Sequence, residues 1–544
     1  MPAKHIRALL LIYGLLNALL YISLVPLWEG FDEAFHYSYV QYLGAHRSFP
    51  VKGRTGLSEE INASLGLVPI SHVMVDNLRL QRVPEVRSFA QYFALDSSQR
   101  HELRDAAQQI PSVLRLQESA RYSENYEAQH APLAYLLIWI PDNLMLHVPL
   151  PQRIWILRFL ITMACVLLVF RGTWALGAEA GLHEISTAIV VFLTFSCQMF
   201  WATIAHVGND WLGVLLAVWL IVWAQRCHRQ PTVRTAVWLS IVLSAGLLTK
   251  AYFLVFVPLY LLTAMVWYRK RTMPARGLAA LLAIPVVSAG PWYVRNVLLY
   301  GSLSGHMAKA TFAGAMQSLL GIPWLKSLPF MLRGTFWLGN LSFTDFSVGT
   351  MNTLLALLGI ALVLYVIHGE LRRDVFLWAP VALFCAAMIF EMGSLYAYTN
   401  GAEKVTGPWY MQVIMTPLLC LGILGCQRSG RLGRWIAAAS VVLWGYILTA
   451  TYAAKLFPLY GGFAGGRSTL RDLAHWYAWD WRRTSDILNT TAMAPVPVLV
   501  TLLAALLAVL LLSIAVLLRS WCRSTSTMSA PTASAEGVPH LVRR

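Results

Sequence analysis

Long apolar runs separated by short polar connections dominate this sequence. A helix needs on the order of 20 mostly apolar residues to cross a bilayer, because the hydrocarbon core offers its backbone no outside hydrogen-bond partner. The runs predict about twelve membrane-spanning helices, near residues 6–27, 156–175, 185–205, 210–225, 234–249, 252–268, 277–292, 350–367, 375–391, 409–425, 435–454 and 495–518. The pattern therefore predicts an all-α polytopic membrane protein.

The polar stretches between these runs divide the chain into regions. A long loop at 28–155 follows the first span, and inside it an apolar segment at 131–149, broken by Pro141, predicts a helix lying along the membrane surface. The tail is rich in Ser, Thr and Ala and is predicted to be disordered. The predicted regions are 1–292 with its loop, a loop at 293–349, a second membrane region at 350–518 with a loop at 455–494, and a tail at 519–544.

Composition supports the membrane assignment and excludes an ordinary soluble enzyme. Hydrophobic residues make up 57% of the chain and charged residues only 12%, and the mean hydropathy is +0.57. The seven cysteines form no CxxC or Cys/His metal spacing, so no disulfide framework and no zinc site is expected.

The net charge of +16 is best explained by topology. If the spans alternate from a cytoplasmic N-terminus, five short basic connections lie on the cytoplasmic side, as the positive-inside rule requires. These connections contain Arg226, Arg229 and Arg234; Arg269, Lys270, Arg271 and Arg276; Arg372 and Arg373; Arg428, Arg431 and Arg434; and Arg519 and Arg523. The loop at 28–155 holds 11 basic and 14 acidic residues and is net negative. Both termini are therefore predicted to be cytoplasmic, and nucleic acid is not an expected partner.

The sharpest polar feature directly follows the first predicted span. Residues 28–37 have the sequence Trp-Glu-Gly-Phe-Asp-Glu-Ala-Phe-His-Tyr, which places two adjacent carboxylates at the membrane edge. If a helix begins at Asp32, then Glu33, His36 and Tyr37 share one face at i, i+3 and i+4. Asp32 itself then lies at the helix cap. The motif fits a cap and a catalytic group equally well, and one residue can serve as both.

His130 and the pair Asn209-Asp210 are further candidates. His130 precedes the predicted surface helix in the string Tyr-Glu-Ala-Gln-His-Ala-Pro-Leu at 126–133, where it fits either a ligand contact or a helix cap. Asn209 and Asp210 lie in a short turn between two apolar spans, where a carboxylate is costly unless it faces water or a partner. Capping of the next helix is the alternative at this turn as well.

Three cations lie on the side that the charge rule leaves poor in basic residues. Lys250 and Arg295 end outward-running spans, and Arg158 lies at the outer start of the second span. Snorkelling of the long side chains to the interface is an alternative explanation for each. Because these cations and the two acidic turns lie at one membrane face, they are predicted to form one polar site.

Taken in order, these strings resemble the GT-C superfamily of membrane glycosyltransferases. Bacterial relatives of the protein O-mannosyltransferases, the lipid A aminoarabinose transferases and the rhizobial lipopolysaccharide-core transferases are the most similar in arrangement. The resemblance spans residues 28–301 and rests on Gly30 to His36, Gln129 to Leu133, Asn209-Asp210, Leu248 to Lys250, and Trp292 to Asn296 with Tyr300-Gly301. Ala131 replaces the usual second Pro of His-Pro-Pro. Many relatives have Gly-Arg-Tyr where residues 407–410 here are Gly-Pro-Trp-Tyr, so an anchoring Arg is missing.

The resemblance implies a GT-C-like catalytic module at 1–292 and an inverting transfer reaction on the extracytoplasmic face. A sugar would pass from a polyprenyl-phosphate donor to a hydroxyl of a glycan, lipid or protein acceptor, in a bacterial cytoplasmic membrane. A phosphate leaving group needs no protonation by a second acid, so one carboxylate acting as general base suffices, unlike in ordinary glycosidases. By position in the motif, Asp32 is that base, with Glu33 and His36 orienting it or holding the acceptor.

The remaining candidates receive their roles from the same resemblance. Lys250 and Arg295, joined by Arg158, would stabilise the leaving phosphate. The residues expected to contact or orient the substrate are Tyr37, His130, Asn209, Asp210 and Tyr293. No cofactor is required by this chemistry. A divalent cation is compatible with it, and Asp32, Glu33 and Asp210 would then supply oxygen ligands.

Other classes of membrane protein compete with this interpretation. About twelve spans with buried ionisable residues are also typical of transporters and flippases. The first loop of about 128 residues and the absence of two similar halves in the sequence argue against them. A polymer ligase or polymerase usually carries its main functional loop late in the chain. A non-catalytic binder of lipid-linked sugar would keep the cations but tolerate loss of Asp32.

Overall fold

A computed structural model describes residues 3–74, 86–118, 124–305, 311–463 and 470–526, and nearly all regular structure in these ranges is helical. The first half contains α1 (Ala3–Leu24), α2 (Glu33–His46), α3 (Glu59–Leu65), α4 (Phe89–Phe93), α5 (Ser97–Gln108), α6 (Leu133–Leu144), α7 (Leu150–Ala180), α8 (Glu184–Ser196), α9 (Gln198–Ile204), α10 (Asp210–Arg229) and α11 (Val233–Leu247). Two strands, β1 (Pro69–Ile70) and β2 (Arg87–Ser88), pair in parallel with Pro69 opposite Arg87.

The second half is also helical. It contains α12 (Val257–Lys270), α13 (Ala275–Tyr300), α14 (Phe312–Ser318), α15 (Trp324–Gly334), α16 (Val348–His368), α17 (Val375–Tyr398), α18 (Gln412–Arg428), α19 (Gly430–Ala450), α20 (Phe457–Tyr460), α21 (Leu470–Trp479), α22 (Trp481–Thr491) and α23 (Val496–Ser526). A π-helical turn at Thr451–Leu456 continues α19 into α20.

Ten helices in the described ranges are long and apolar enough to cross a membrane, or eleven if α8 and α9, which meet at an angle of 66°, form one bent span. The prediction of a polytopic helical membrane protein is confirmed at this level. Each predicted run coincides with one of these helices except 234–249, which forms α11 and is only 15 residues long. The number of crossings therefore depends on α11 and on the bent pair.

Several predicted boundaries shift in the structure. The segment at 131–149 forms the 12-residue α6, which packs on α2 and is short for a crossing. Helix α13 continues to Tyr300, eight residues past the predicted edge at 292. The loop after it contains α14 and α15. Helix α23 runs to Ser526, so the tail begins later than residue 519, and residues 527–544 lie outside the described residues.

The first and last helices share one core. Buried apolar side chains form a continuous cluster from Ile6 in α1 to Trp521 in α23. Helix α1 packs against α7, α8 and α23, and α8 packs against α18 and α19. The end of α1 and the start of α7 are thereby fixed next to the loop at 25–32, which leads into α2 and carries the first polar motif.

Candidate active site

Asp32 begins α2 with its backbone and leaves its side chain available. The predicted helix start is confirmed, since the carbonyl oxygen of Asp32 accepts hydrogen bonds from the amides of Phe35 and His36 at 3.0 Å. The Asp32 carboxylate makes no cap hydrogen bond and instead accepts one from the Tyr126 hydroxyl. Its φ of +54° is in the left-handed region, which Asp and Asn tolerate better than most residues. The carboxylate therefore points away from the helix and into a buried polar cluster.

The surroundings of Asp32 bring its pKa close to neutral pH. Burial of the carboxylate raises its pKa to about 7, and the negative charges of Glu127 and Asp210 act in the same direction. The Tyr126 hydrogen bond and the positive charge of Lys250 act against this shift. These five side chains are referred to below as the Asp32 cluster. A carboxylate with such a pKa is partly ionised at neutral pH and still basic enough to accept a proton from a hydroxyl group.

Glu33 points in another direction and is held by Arg158. The Arg158 Nε and Nη2 donate to its two carboxylate oxygens at 2.7 and 2.5 Å, and the Val207 amide donates to Oε1 at 2.9 Å. Arg158 also donates to the carbonyls of Val25 and Pro26. Both charged side chains are fully buried. This geometry corrects two sequence predictions, because it assigns Glu33 to anchoring the loop rather than to catalysis, and Arg158 to holding Glu33 rather than phosphate.

A second buried group surrounds His36. Its Nδ1 lies 2.8 Å from the Tyr135 hydroxyl and 3.3 Å from Glu127 Oε2, and His130 Nε2 lies 2.8 Å from the same Glu127 oxygen. Burial lowers the pKa of His36 to about 4, so its imidazole is neutral at physiological pH. Burial opposes ionisation of Glu127, but the adjacent imidazoles and Lys250 hold its pKa below its ordinary value. His130 thus pairs with Glu127 and does not cap α6.

Asp210 and Lys250 form a buried ion pair beside Asp32. Lys250 Nζ lies 2.8 Å from both Asp210 oxygens, and only 5% of Lys250 is exposed. The ammonium group also lies 5.0 Å from the centre of the Tyr410 ring and 5.7 Å from that of Tyr252. Lys250 therefore does not snorkel, and Asp210 does not cap α10. Asn209 adjoins this pair and donates to the Tyr135 hydroxyl at 3.1 Å.

Arg295 contacts residues outside the Asp32 cluster, namely Pro50 and Trp292. Its Nη2 donates to the Pro50 carbonyl at 2.7 Å, and its guanidinium lies 4.6 Å from the centre of the Trp292 ring. Its Nη1 is buried and has no hydrogen-bond acceptor among the described residues. Tyr39 connects Arg295 to the residues around His36. Its hydroxyl donates to the His130 carbonyl and interacts electrostatically with the guanidinium of Arg295. Arg295 therefore retains a buried donor for an anion.

Two predicted substrate residues serve the scaffold instead. Tyr37 contacts α6 at a different point from His36 and donates to Asp142 at 2.7 Å, in a network completed by Arg153. Tyr293 donates to the Leu247 carbonyl at 3.0 Å and so joins α13 to α11. Neither hydroxyl reaches the Asp32 cluster. The helical spacing predicted a shared face but could not show that neighbouring positions on it meet different partners.

The three residues that were predicted to bind a divalent cation, if one is present, do not come together as a ligand set in the structure. The sequence offered Asp32, Glu33 and Asp210, but Glu33 binds Arg158 and Asp210 binds Lys250. Across the part of the chain that the structure describes, no three His, Cys, Asp or Glu side chains are grouped so as to hold a metal ion. Glu33 and Asp210 are therefore committed to cations, and Asp32 accepts the hydrogen bond of Tyr126.

A close backbone approach joins the first motif to the turn at 205–209. A Cβ added at Gly30 would lie 2.3 Å from His206 Cβ, so only glycine fits there. His206 donates from Nδ1 to the Ala202 carbonyl at 2.9 Å, while its buried Nε2 has no partner in the described ranges. Phe31 stacks on Trp409 with the ring centres 4.6 Å apart. The loop at 25–32 is thereby fixed against both halves of the chain.

Sequence reasoning missed several members of the site. Tyr126 and Glu127 precede His130 in the string that was singled out, and a carboxylate three residues before a histidine was the available signal. Tyr410, the last residue of the Gly-Pro-Trp-Tyr string at 407–410, places its ring against Lys250. No such local signal marks Tyr135. No protein-family model and no curated protein matches this chain.

Proposed function

We propose that this protein is an integral-membrane glycosyltransferase that moves a sugar from a polyprenyl-phosphate donor to an acceptor hydroxyl. The observation that carries the proposal is the Asp32 cluster, in which a partly buried carboxylate with a pKa of about 7 lies beside a buried lysine. A base and a cation in one desolvated site meet the two requirements of the reaction, which are removal of a hydroxyl proton and stabilisation of a departing phosphate. The GT-C-like arrangement of motifs supports the same reaction.

In the proposed reaction Asp32 accepts the proton of the acceptor hydroxyl. The hydroxyl oxygen forms a bond to the anomeric carbon from the face opposite the phosphate. The bond between that carbon and the phosphate oxygen breaks, and its electron pair leaves with the polyprenyl phosphate, so the configuration inverts. Tyr126 holds the Asp32 carboxylate in place through its hydrogen bond.

The leaving phosphate needs cations that are not fully neutralised. Lys250 is paired with Asp210, which orients the ammonium group and lowers its net attraction for an anion. Arg295 offers a buried Nη1 without an acceptor in the described chain, and a guanidinium binds phosphate with fixed geometry. We therefore assign the donor phosphate to the space between these two residues, with Arg295 as its main contact.

The proposed function is tested by a transfer assay with the purified protein in lipid nanodiscs. Radiolabelled polyprenyl-phosphate hexoses and pentoses are supplied with a membrane extract as acceptor, and nucleotide sugars serve as the control donors. We expect transfer from at least one lipid-phosphate sugar, with inversion at the anomeric carbon, and none from nucleotide sugars. Donor binding without transfer would instead identify a non-catalytic binder. Transport of the donor across the bilayer without bond cleavage would identify a flippase.

The pH dependence of transfer follows from the pKa of Asp32. The base must be ionised, so a raised pKa moves the loss of activity to a higher pH than for an ordinary aspartate. With a pKa of about 7, kcat/KM at pH 6 is expected to be about tenfold lower than at pH 8. The variant Glu127→Gln removes a negative charge that raises this pKa and should shift the midpoint downward. A midpoint near pH 4 in the parent would contradict this environment for Asp32.

We also propose that the termini are cytoplasmic, which places the Asp32 cluster on the extracytoplasmic face of a bacterial inner membrane. A chain truncated after residue 271 and fused to green fluorescent protein should be fluorescent. A chain truncated after residue 400 and fused to alkaline phosphatase should be active. Residue 271 is cytoplasmic when α11 and the bent α8–α9 pair either both cross or both do not. Reversed results at both fusion sites would show that only one of these two elements crosses.

A further inference from the structure

A pocket of about 390 Å³ lies apart from the Asp32 cluster. Its walls come from the loop at 25–32, the segment after α3, the end of α5, the first turns of α7 and the connection between α22 and α23. The lining residues that matter here are Leu27, Val68, Arg104, Gln108, Trp155 and Met493. Three of these side chains are aliphatic or thioether groups and one is an indole, so the pocket combines an apolar surface with polar groups, among them Arg104 and Gln108.

The guanidinium of Arg104 and the Oε1 of Gln108 lack hydrogen-bond partners among the described residues. The Arg104 guanidinium has neither a hydrogen bond nor an ion pair with any described residue, and its burial lowers its pKa. The Oε1 of Gln108 is buried without a donor in the described ranges. The two residues are four positions apart in α5 and so lie on one face of that helix. The pocket thus offers a positive charge for an anion and an acceptor for a hydroxyl group.

The position of the pocket indicates a membrane ligand. Trp155 lies in the first two turns of α7, which is a candidate span, and Pro495 directly precedes α23, which is another. Trp155 also donates from Nε1 to the Ser23 hydroxyl at 3.3 Å, near the end of α1. Three candidate spans therefore end at this pocket. An indole that is apolar on one side and hydrogen-bonded on the other is typical of the level of lipid head groups.

We propose that this pocket binds the phosphate-bearing, hydroxylated head group of a membrane lipid. Arg104 contacts the phosphate, Gln108 accepts from a head-group hydroxyl, and the walls formed by Leu27 and Trp155 contact the first carbons of the lipid. A free anion would contact only the polar groups of the pocket, whereas an amphipathic lipid contacts both the polar groups and the apolar walls. This assignment goes beyond the proposed transfer reaction and does not depend on it.

The ligand would touch the loop that carries Asp32. Leu27 lines the pocket and belongs to the same loop, whose carbonyls at Val25 and Pro26 are held by Arg158. On the other wall, the amides of Met493 and Ala494 donate to the Ser23 carbonyl at the end of α1. A ligand in the pocket therefore contacts the segment between α1 and α2, which Arg158 also holds.

The proposal is tested by native mass spectrometry of the purified full-length protein. Phosphatidylglycerol, phosphatidylethanol and phosphatidylcholine are titrated against the parent and against Arg104→Gln, Gln108→Leu and the control Arg482→Gln, which removes an exposed arginine outside the pocket. We expect Arg104→Gln to weaken phosphatidylglycerol binding by about fivefold or more, because a charge-assisted hydrogen bond is lost. Arg482→Gln should bind as the parent does. A thermal unfolding scan verifies that each variant is folded.

The second variant separates the two polar contacts. Gln108→Leu should weaken binding of phosphatidylglycerol, which has head-group hydroxyls, and leave that of phosphatidylethanol, which has none, unchanged. Equal binding of phosphatidylglycerol by the parent and a folded Arg104→Gln would overturn the proposal. So would full competition by inorganic phosphate with no discrimination among the lipids, since the pocket would then bind a free anion.

Discussion

Replacing Asp32 with Asn is expected to lower the rate of sugar transfer by about 10²–10⁴-fold, the usual contribution of a general base. Asn has nearly the same shape and also tolerates the left-handed conformation at φ +54°, so α2 should begin as before. The amide can still meet the Tyr126 hydroxyl but cannot accept the proton of an acceptor hydroxyl. The loss should therefore appear in kcat, with KM for the donor little changed.

The measurement compares initial rates of the parent, Asp32→Asn and Asp345→Asn in the same nanodiscs. Asp345 is an exposed aspartate of the connection between α15 and α16, so its substitution makes the same chemical change outside the site. Rates for Asp345→Asn should equal those of the parent. Transfer by Asp32→Asn at the parent rate would remove Asp32 from the role of base, while the transfer reaction itself would stand on the assay of the parent.

Hydropathy predicted the positions of the helices well because a membrane leaves the backbone no alternative to internal hydrogen bonding. The break between α8 and α9 was not predictable in this way. It falls at Cys197, with no proline or glycine, and the Met199 amide there donates to the Phe336 carbonyl of a distant segment. Helix α13 continues to Tyr300 for a different reason, since the charge of Arg295 ends the apolar run but does not interrupt the helical backbone.

Residues of the candidate site were predictable where their position next to an apolar run singled them out. Asp32 follows the first span directly, and Lys250 ends an apolar run, so both could be singled out from position alone. The partner of Glu33 could not, because Arg158 lies 125 positions away in α7 and meets Glu33 only in the folded chain. The adjacent carboxylates of Asp32 and Glu33 thus have separate environments. Only the fold shows that the pKa of Asp32 lies near neutral pH and that Arg158 keeps Glu33 ionised.

Replacing Arg158 with Met is expected to destabilise the protein by about 3–5 kcal/mol, as breaking a buried ion pair usually does. Glu33 would keep a buried carboxylate whose pKa Arg158 now holds below its usual value despite burial. The carbonyls of Val25 and Pro26 would also lose their donors, and the loop before Asp32 would lose its anchor. The free energy of unfolding, measured by denaturant titration in mixed micelles, provides the readout.

Two further variants test whether the unpaired charge of buried Glu33 causes the loss of stability in Arg158→Met. Arg7 and Glu184 form an Arg–Glu pair at the same 2.7 Å, but both side chains are about half exposed, so Arg7→Met should cost about 0–1 kcal/mol. The double variant Glu33→Gln with Arg158→Met removes the unpaired charge and should recover part of the lost stability, because a neutral amide is cheaper to bury than a carboxylate. If Arg158→Met were as mild as Arg7→Met, burial would not be what makes the Glu33–Arg158 pair important. The loop that presents Asp32 would then depend on the packing of Gly30 against His206.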